Sequence, residues 1–200
     1  MEKLVYIIIT MTGGIFLMII HELMKNIVYY FLKKKKVPKD LFYIWKNIDL
    51  VGIITTLAMY TPFSKQYRYT ISDKKTAMTV GVTGISTLLI INVSCVAVLR
   101  CCFKEYILET GHFSTDNLKY YLYLFLLNLV MLSMAMLLAN LFPITCFDMG
   151  LIVLGSNSKS RSSIIIFDGF LKLMFFLMVA LRVFLNASTI ITNYSISLFL

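Results

Sequence analysis

Four long stretches of this chain carry no charged side chain: Leu4 to Ile20, Thr76 to Leu99, Tyr120 to Phe147 and the tail from Val183 to Leu200. That feature constrains the fold more than any other. About 20 consecutive apolar residues cross the hydrocarbon core of a bilayer as a helix. Composition agrees: the chain is 59% hydrophobic and only 14% charged, against about 25% charged for an ordinary soluble domain. The expected fold is an all-α polytopic membrane protein.

The first span reads as Leu4 to Leu32 and ends in an aromatic belt, Tyr29, Tyr30 and Phe31. It is longer than a crossing needs, so it tilts or protrudes. No small-x-small cleavage site follows it, so it reads as a retained span rather than a signal peptide. Val51 to Phe63 is apolar but too short to cross, which predicts a re-entrant or interfacial segment after the first span. The second span is Thr76 to Leu99. The third starts at Tyr120, and its helix is expected to break before Pro143, because proline removes a donor and clashes with the preceding turn.

Gly155 to Ser163 reads as a polar loop, and a fourth span begins near Ile164. That span contains Asp168, Lys172 and Arg182, the first two spaced to pair on one helix face. The apolar tail to Leu200 is expected to extend the fourth span or to lie along the membrane. This divides the chain into a membrane core, 1–155, and a C-terminal transmembrane helix with its tail, 156–200. About four transmembrane helices result.

The net charge of +9 does not point to nucleic acid. Lys33, Lys34, Lys35 and Lys36 directly follow the first span, where they anchor it at the cytoplasmic face against anionic headgroups. Lys159 and Arg161 follow the third span. The positive-inside rule therefore places both of those loops in the cytoplasm, and the loop around His112 together with both termini outside. His112 then reads as a surface histidine. The cysteines Cys95, Cys101, Cys102 and Cys146 fit neither a disulfide framework nor a zinc ribbon.

The chemistry concentrates in two places. The first is His21-Glu22-Leu23-Met24-Lys25, near the end of the first span. Burying such charges in hydrocarbon costs several kcal/mol and marks a site unless they are paired. A His-Glu pair with a second histidine four residues on would hold zinc from one helix face, with the glutamate activating the bound water. Here the fifth place is Lys25. The second is Asn140 to Gly150, "NLFPITCFDMG", at the end of the third span. The two spans run in the same direction. His21 lies about eight residues before the aromatic belt, roughly 12 Å deep at about 1.5 Å per residue, so both motifs approach the same leaflet.

Together these motifs resemble the site-2 proteases, the intramembrane zinc metalloproteases. The second motif is similar to that family's Asn-x-x-Pro-x-x-x-x-Asp-Gly pattern through Asn140, Pro143, Asp148 and Gly150, with Met149 intruding before the glycine. Asn47 to Gly52 looks like the His-x-Asp-Pro-x-Gly segment of small bacterial members. Val82 to Leu89 looks like their Ala-Gly-Pro-x-x-Asn segment, with Gly84 retained.

The resemblance covers about Phe16 to Gly155. It implies a divergent member in the bacterial cytoplasmic membrane, with zinc held by His21 and Asp148 and with Glu22 as the base. Asn140, Pro143 and Gly150 would support a membrane-embedded protein or peptide substrate. Lys25 opens the alternative: a charged lysine repels a metal, supplies no third ligand and pairs with Glu22 or Asp148. The protein would then be a pseudoprotease that binds membrane peptides or a membrane partner without cutting them, with zinc weak or absent. Cys146, two residues from Asp148, is the remaining candidate ligand.

Overall fold

The computed structural model describes residues 2–33, 39–43, 45, 48–64, 73–103, 118–156 and 158–197. His112 and most of the loop around it lie outside the described residues. The fold is all-helical, and four of its helices are long and apolar enough to cross a bilayer: α1 (Glu2–Lys33), α3 (Lys74–Cys102), α4 (Leu118–Asn140) and α6 (Ser158–Ala180). The protein is thus of the integral membrane type that the apolar runs predict.

A short helix, α2 (Leu50–Met59), lies between the first two of them. Asp49 starts it by accepting a hydrogen bond from the Val51 amide at 3.0 Å. Tyr60 ends it in the left-handed conformation, φ 52°, and turns the chain back into the non-helical segment 61–64. At ten residues, α2 is about 15 Å long, too short to cross. It packs on α1, where Gly14 makes room: a Cβ there would stand 2.6 Å from Thr56 Cγ2.

Helix α4 is the centre of the bundle. Half of its apolar window is buried, against 33% for α1 and α3 and 17% for α6. Polar side chains lock it to its neighbours, as expected where unpaired groups would face hydrocarbon. Asn128 donates to Thr10 Oγ1 at 3.1 Å, and Asn92 of α3 donates to Val130 O and Ser133 Oγ, each at 2.9 Å. Leu17, Leu88, Leu132 and Met136 fill the space between these three helices. At one end, Lys33 pairs with Asp73 at 2.8 Å. Asp73 also caps α3 through the Thr76 amide and hydroxyl, so one carboxylate ties the end of α1 to the start of α3.

Helix α4 stops at Asn140, three residues before Pro143. After the break, α5 (Asp148–Gly155) begins with Asp148 in its first turn. Two expectations need correction. Gly155 to Ser163 is not a loop, because α6 already starts at Ser158; Ser, Lys and Arg side chains can be solvated from the first turns of a helix, so their polarity does not mark a break. The tail does not simply prolong the fourth span. Arg182 adopts φ 55°, and a separate helix, α7 (Val183–Ser197), docks on α4 with Phe184, Ser188 and Thr192 buried. The i, i+4 pair of Asp168 and Lys172 is present. Asp168 also accepts from the Thr145 amide at 3.0 Å and hydroxyl at 2.8 Å, fastening α6 to the helix break.

Candidate functional site

Helix periodicity places His21, Glu22 and Lys25 on the inner side of α1, and the break after α4 brings Asp148 to meet them. His21, Glu22 and Asp148 are 0% exposed, and Lys25 is 1% exposed. Lysine is almost never buried to that degree without partners, and the partners are there. Lys25 Nζ lies 2.9 Å from Glu22 Oε1 and 2.8 Å from Asp148 Oδ1. His21 Nε2 is 2.7 Å from Asp148 Oδ2, and His21 Nδ1 is 3.1 Å from Glu22 Oε1.

A fifth residue completes the cluster. Ser64 Oγ donates to Glu22 Oε1 at 2.7 Å and lies 3.0 Å from His21 Nδ1. It comes from the return segment 61–64 behind α2. Sequence reasoning missed Ser64, because a serine 42 residues from Glu22 carries no local signal. What could have found it is the turn that the apolar segment must make.

Glycine shapes the wall behind the acid. A Cβ on Gly84 of α3 would sit 2.2 Å from Asp148 Oδ2. Only a residue without a side chain lets α5 press its carboxylate this close to α3. Gly150 does the same for the break, since a Cβ there would meet Ile144 O at 1.7 Å.

The remaining sequence candidates are not drawn into the cluster. Asn140 is buried but turns back on its own helix, donating to Met136 O at 2.9 Å. Pro143 lies in the break and lines a groove of about 550 Å³ shared with α5 and α6. Cys146 is exposed, whereas the cluster is sealed.

With the imidazole protonated, two cations face two carboxylates and the cluster is neutral without any added ion. That arrangement bears on the zinc that the motif resemblance implies. A catalytic zinc takes three protein ligands and an open position. The place one helical turn from His21, where a third ligand is required, holds an ammonium bonded to both carboxylates. A divalent ion about 4 Å from that ammonium would be repelled by about 8 kcal/mol, taking about 4 kcal/mol per pair of unit charges at an effective dielectric of 20. Among the described residues, no group of three or more His, Cys, Asp or Glu side chains is arranged to hold a metal ion.

Fold and cluster together define a polytopic α-helical membrane protein with a sealed ionic centre. Compared with protein-family models, curated proteins and solved structures, the chain matches none at a significant level.

Proposed function

We propose that this is a site-2-protease-like protein whose centre works without a metal, a pseudoprotease with respect to zinc chemistry that receives a membrane-embedded peptide. One observation carries the reading: Lys25 Nζ bridges Glu22 and Asp148 at 2.9 and 2.8 Å. The ammonium engages the acid that would ligate zinc and the acid that would activate its water. Glu22 is then held by an ion pair and is not free to act as a base toward metal-bound water. The bacterial cytoplasmic membrane and the peptide partner belong to the same proposal. They rest on the motif resemblance and on the non-helical segment 61–64 lying against the cluster.

Metal analysis of the purified protein tests the central claim. Wild type should carry far less than one zinc per chain, and Lys25→His should raise zinc toward one, because histidines four apart on a helix share a face. Wild type purified with about one tightly held zinc would overturn the proposal. For the partner, a photoreactive residue replacing Phe63 should label a co-expressed single-span peptide. Equal labelling from lipid-facing Val93, 64% exposed, would remove that part.

A further inference from the structure

Helix α6 begins with six polar residues, "SKSRSS", and turns apolar at Ile164. One face of it borders the groove of about 550 Å³ beside the helix break. Lys159, Ser160 and Ser163 stand at the mouth of that groove, and Ile164, Phe167 and Leu171 line it below. Pro143 of the break and Val153 of α5 supply the other side. The volume falls within the roughly 300–1,000 Å³ of ligand sites. From Lys159 to Leu171 the lining descends α6 for about 18 Å at about 1.5 Å per residue. That is close to the hydrocarbon depth of one leaflet, half of a core about 30 Å thick. A polar mouth above an apolar floor follows the order of a phospholipid, headgroup first and chain below. We propose that this groove holds one anionic phospholipid, with its phosphate at Lys159 and an acyl chain along Phe167 and Leu171. The site is separate from the buried cluster and rests on neither the metal-free nor the peptide-binding reading.

Charge decides the class of lipid. Among the described residues, Lys159 is the one charged side chain on the lining, and it pairs with no carboxylate. Asp168, further along α6, is engaged by Lys172 and Thr145 and lies off the lining. The mouth opens at the end of the bundle where cations collect. Gly155 closes α5 against the start of α3, where a Cβ on it would stand 2.6 Å from Lys74 O, and α6 begins at Ser158. Lys74 and Lys75 therefore share that end with Lys159 and Arg161, the end that the positive-inside rule assigns to the leaflet rich in anionic headgroups. Basic pockets between transmembrane helices on that side bind such headgroups. A partner helix fits less well, because close packing in a bilayer uses small side chains and the floor here is isoleucine, phenylalanine and leucine.

The position gives the lipid a structural consequence. Pro143 belongs to the break that presents Asp148 to the cluster, and Asp168 of α6 holds the same break through Thr145. An acyl chain between α5 and α6 fills the space beside those bonds. A ligand that binds only the folded chain raises its stability by mass action, so the lipid braces the break.

Native mass spectrometry of the full chain tests the preference, with micelles doped equally with phosphatidylglycerol and phosphatidylcholine of the same chains. One phosphatidylglycerol should be retained about fivefold over phosphatidylcholine, since one cation near an anionic headgroup is worth about 1 kcal/mol. Lys159→Ala should bring the two lipids to parity, and Lys159→Arg should keep the preference. Arg161→Ala, two residues on and so off that face, should leave it unchanged. A phosphatidylglycerol with a diazirine in its chain places the apolar end. Peptide mapping should find adducts at Phe167 and Leu171 in excess over Ile166, which is 74% exposed but outside the groove. Equal retention of both lipids by wild type shown to be folded by circular dichroism overturns the proposal. So does a preference that Lys159→Ala keeps, or adducts as frequent at Ile166 as at Phe167. A disulfide-linked dimer through Phe167→Cys in a cysteine-free background, with loss of the bound lipid, would give the groove to a second copy and overturn it as well.

Discussion

Replacing Lys25 by methionine keeps the length of the side chain and removes its charge. The contacts of 2.9 Å to Glu22 and 2.8 Å to Asp148 are lost, and two carboxylates that are 0% exposed are left with His21 between them. Removing one partner of a buried ion pair costs about 3–5 kcal/mol, because the uncompensated charge stays out of water. For a chain of this size about 1 kcal/mol corresponds to 2–4 °C in Tm, so the melting temperature should fall by about 6–20 °C. The triple variant Lys25→Met, Glu22→Gln, Asp148→Asn removes the charges together, and such replacements are often neutral or stabilising. It should recover most of the loss. The assay is thermal unfolding in one detergent at one pH, followed by far-ultraviolet circular dichroism. A single variant melting within about 3 °C of wild type, equivalent to about 1 kcal/mol, would refute the sealed cluster. A triple variant no more stable than the single one would refute the claim that the cost is electrostatic.

Other consequences can be measured on the same preparation. Gly84→Ala drives a methyl toward Asp148 Oδ2, at 2.2 Å before relaxation, and should cost about 1–3 kcal/mol as overpacking. Gly169→Ala meets nothing within 4 Å and should be neutral or gain up to about 1 kcal/mol from helix propensity; equal effects at the two sites would contradict the close approach. Asn92→Ala loses two bonds to α4 and should cost about 1 kcal/mol, at about 0.6 kcal/mol for a typical bond in a membrane bundle. The Asp73 carboxyl is held below its ordinary value, chiefly by the Lys33 ammonium and then by the Thr76 hydroxyl and amide. Its contribution is therefore complete above the ordinary carboxylate value and is lost as pH falls through the lowered one. Because the pair is exposed, high salt should weaken the effect, and Asp73→Asn should abolish both dependences in melts scanned over pH and salt. In a cysteine-free background, Leu118→Cys should react with an impermeant reagent on intact cells and Ser160→Cys only after permeabilisation; the reverse pattern would invert the orientation.

The sequence by itself determined the membrane class, the four helices long enough to cross, an apolar segment too short to cross after the first and the break before Pro143. Each depends on local composition: uncharged length decides whether a helix can cross, and proline acts on its own turn. It also singled out His21, Glu22, Lys25 and Asp148, because ionisable groups beside apolar runs stand out against their surroundings. It misplaced the start of α6 and left the path of the tail open. Polar residues can open a helix as readily as they can form a loop, and the φ of 55° at Arg182 has no signature in residue type. Only the tertiary structure decided what the buried charges do. Lys25 could have pointed to Glu22, to Asp148 or to the headgroups, and the choice was made by the distance between α1 and α5. That distance is set by Gly84 on a third helix and by the return of 61–64, which delivers Ser64. Such contacts join positions up to 127 residues apart, and a one-dimensional pattern does not encode which distant side chain fills the space that a helix face leaves open.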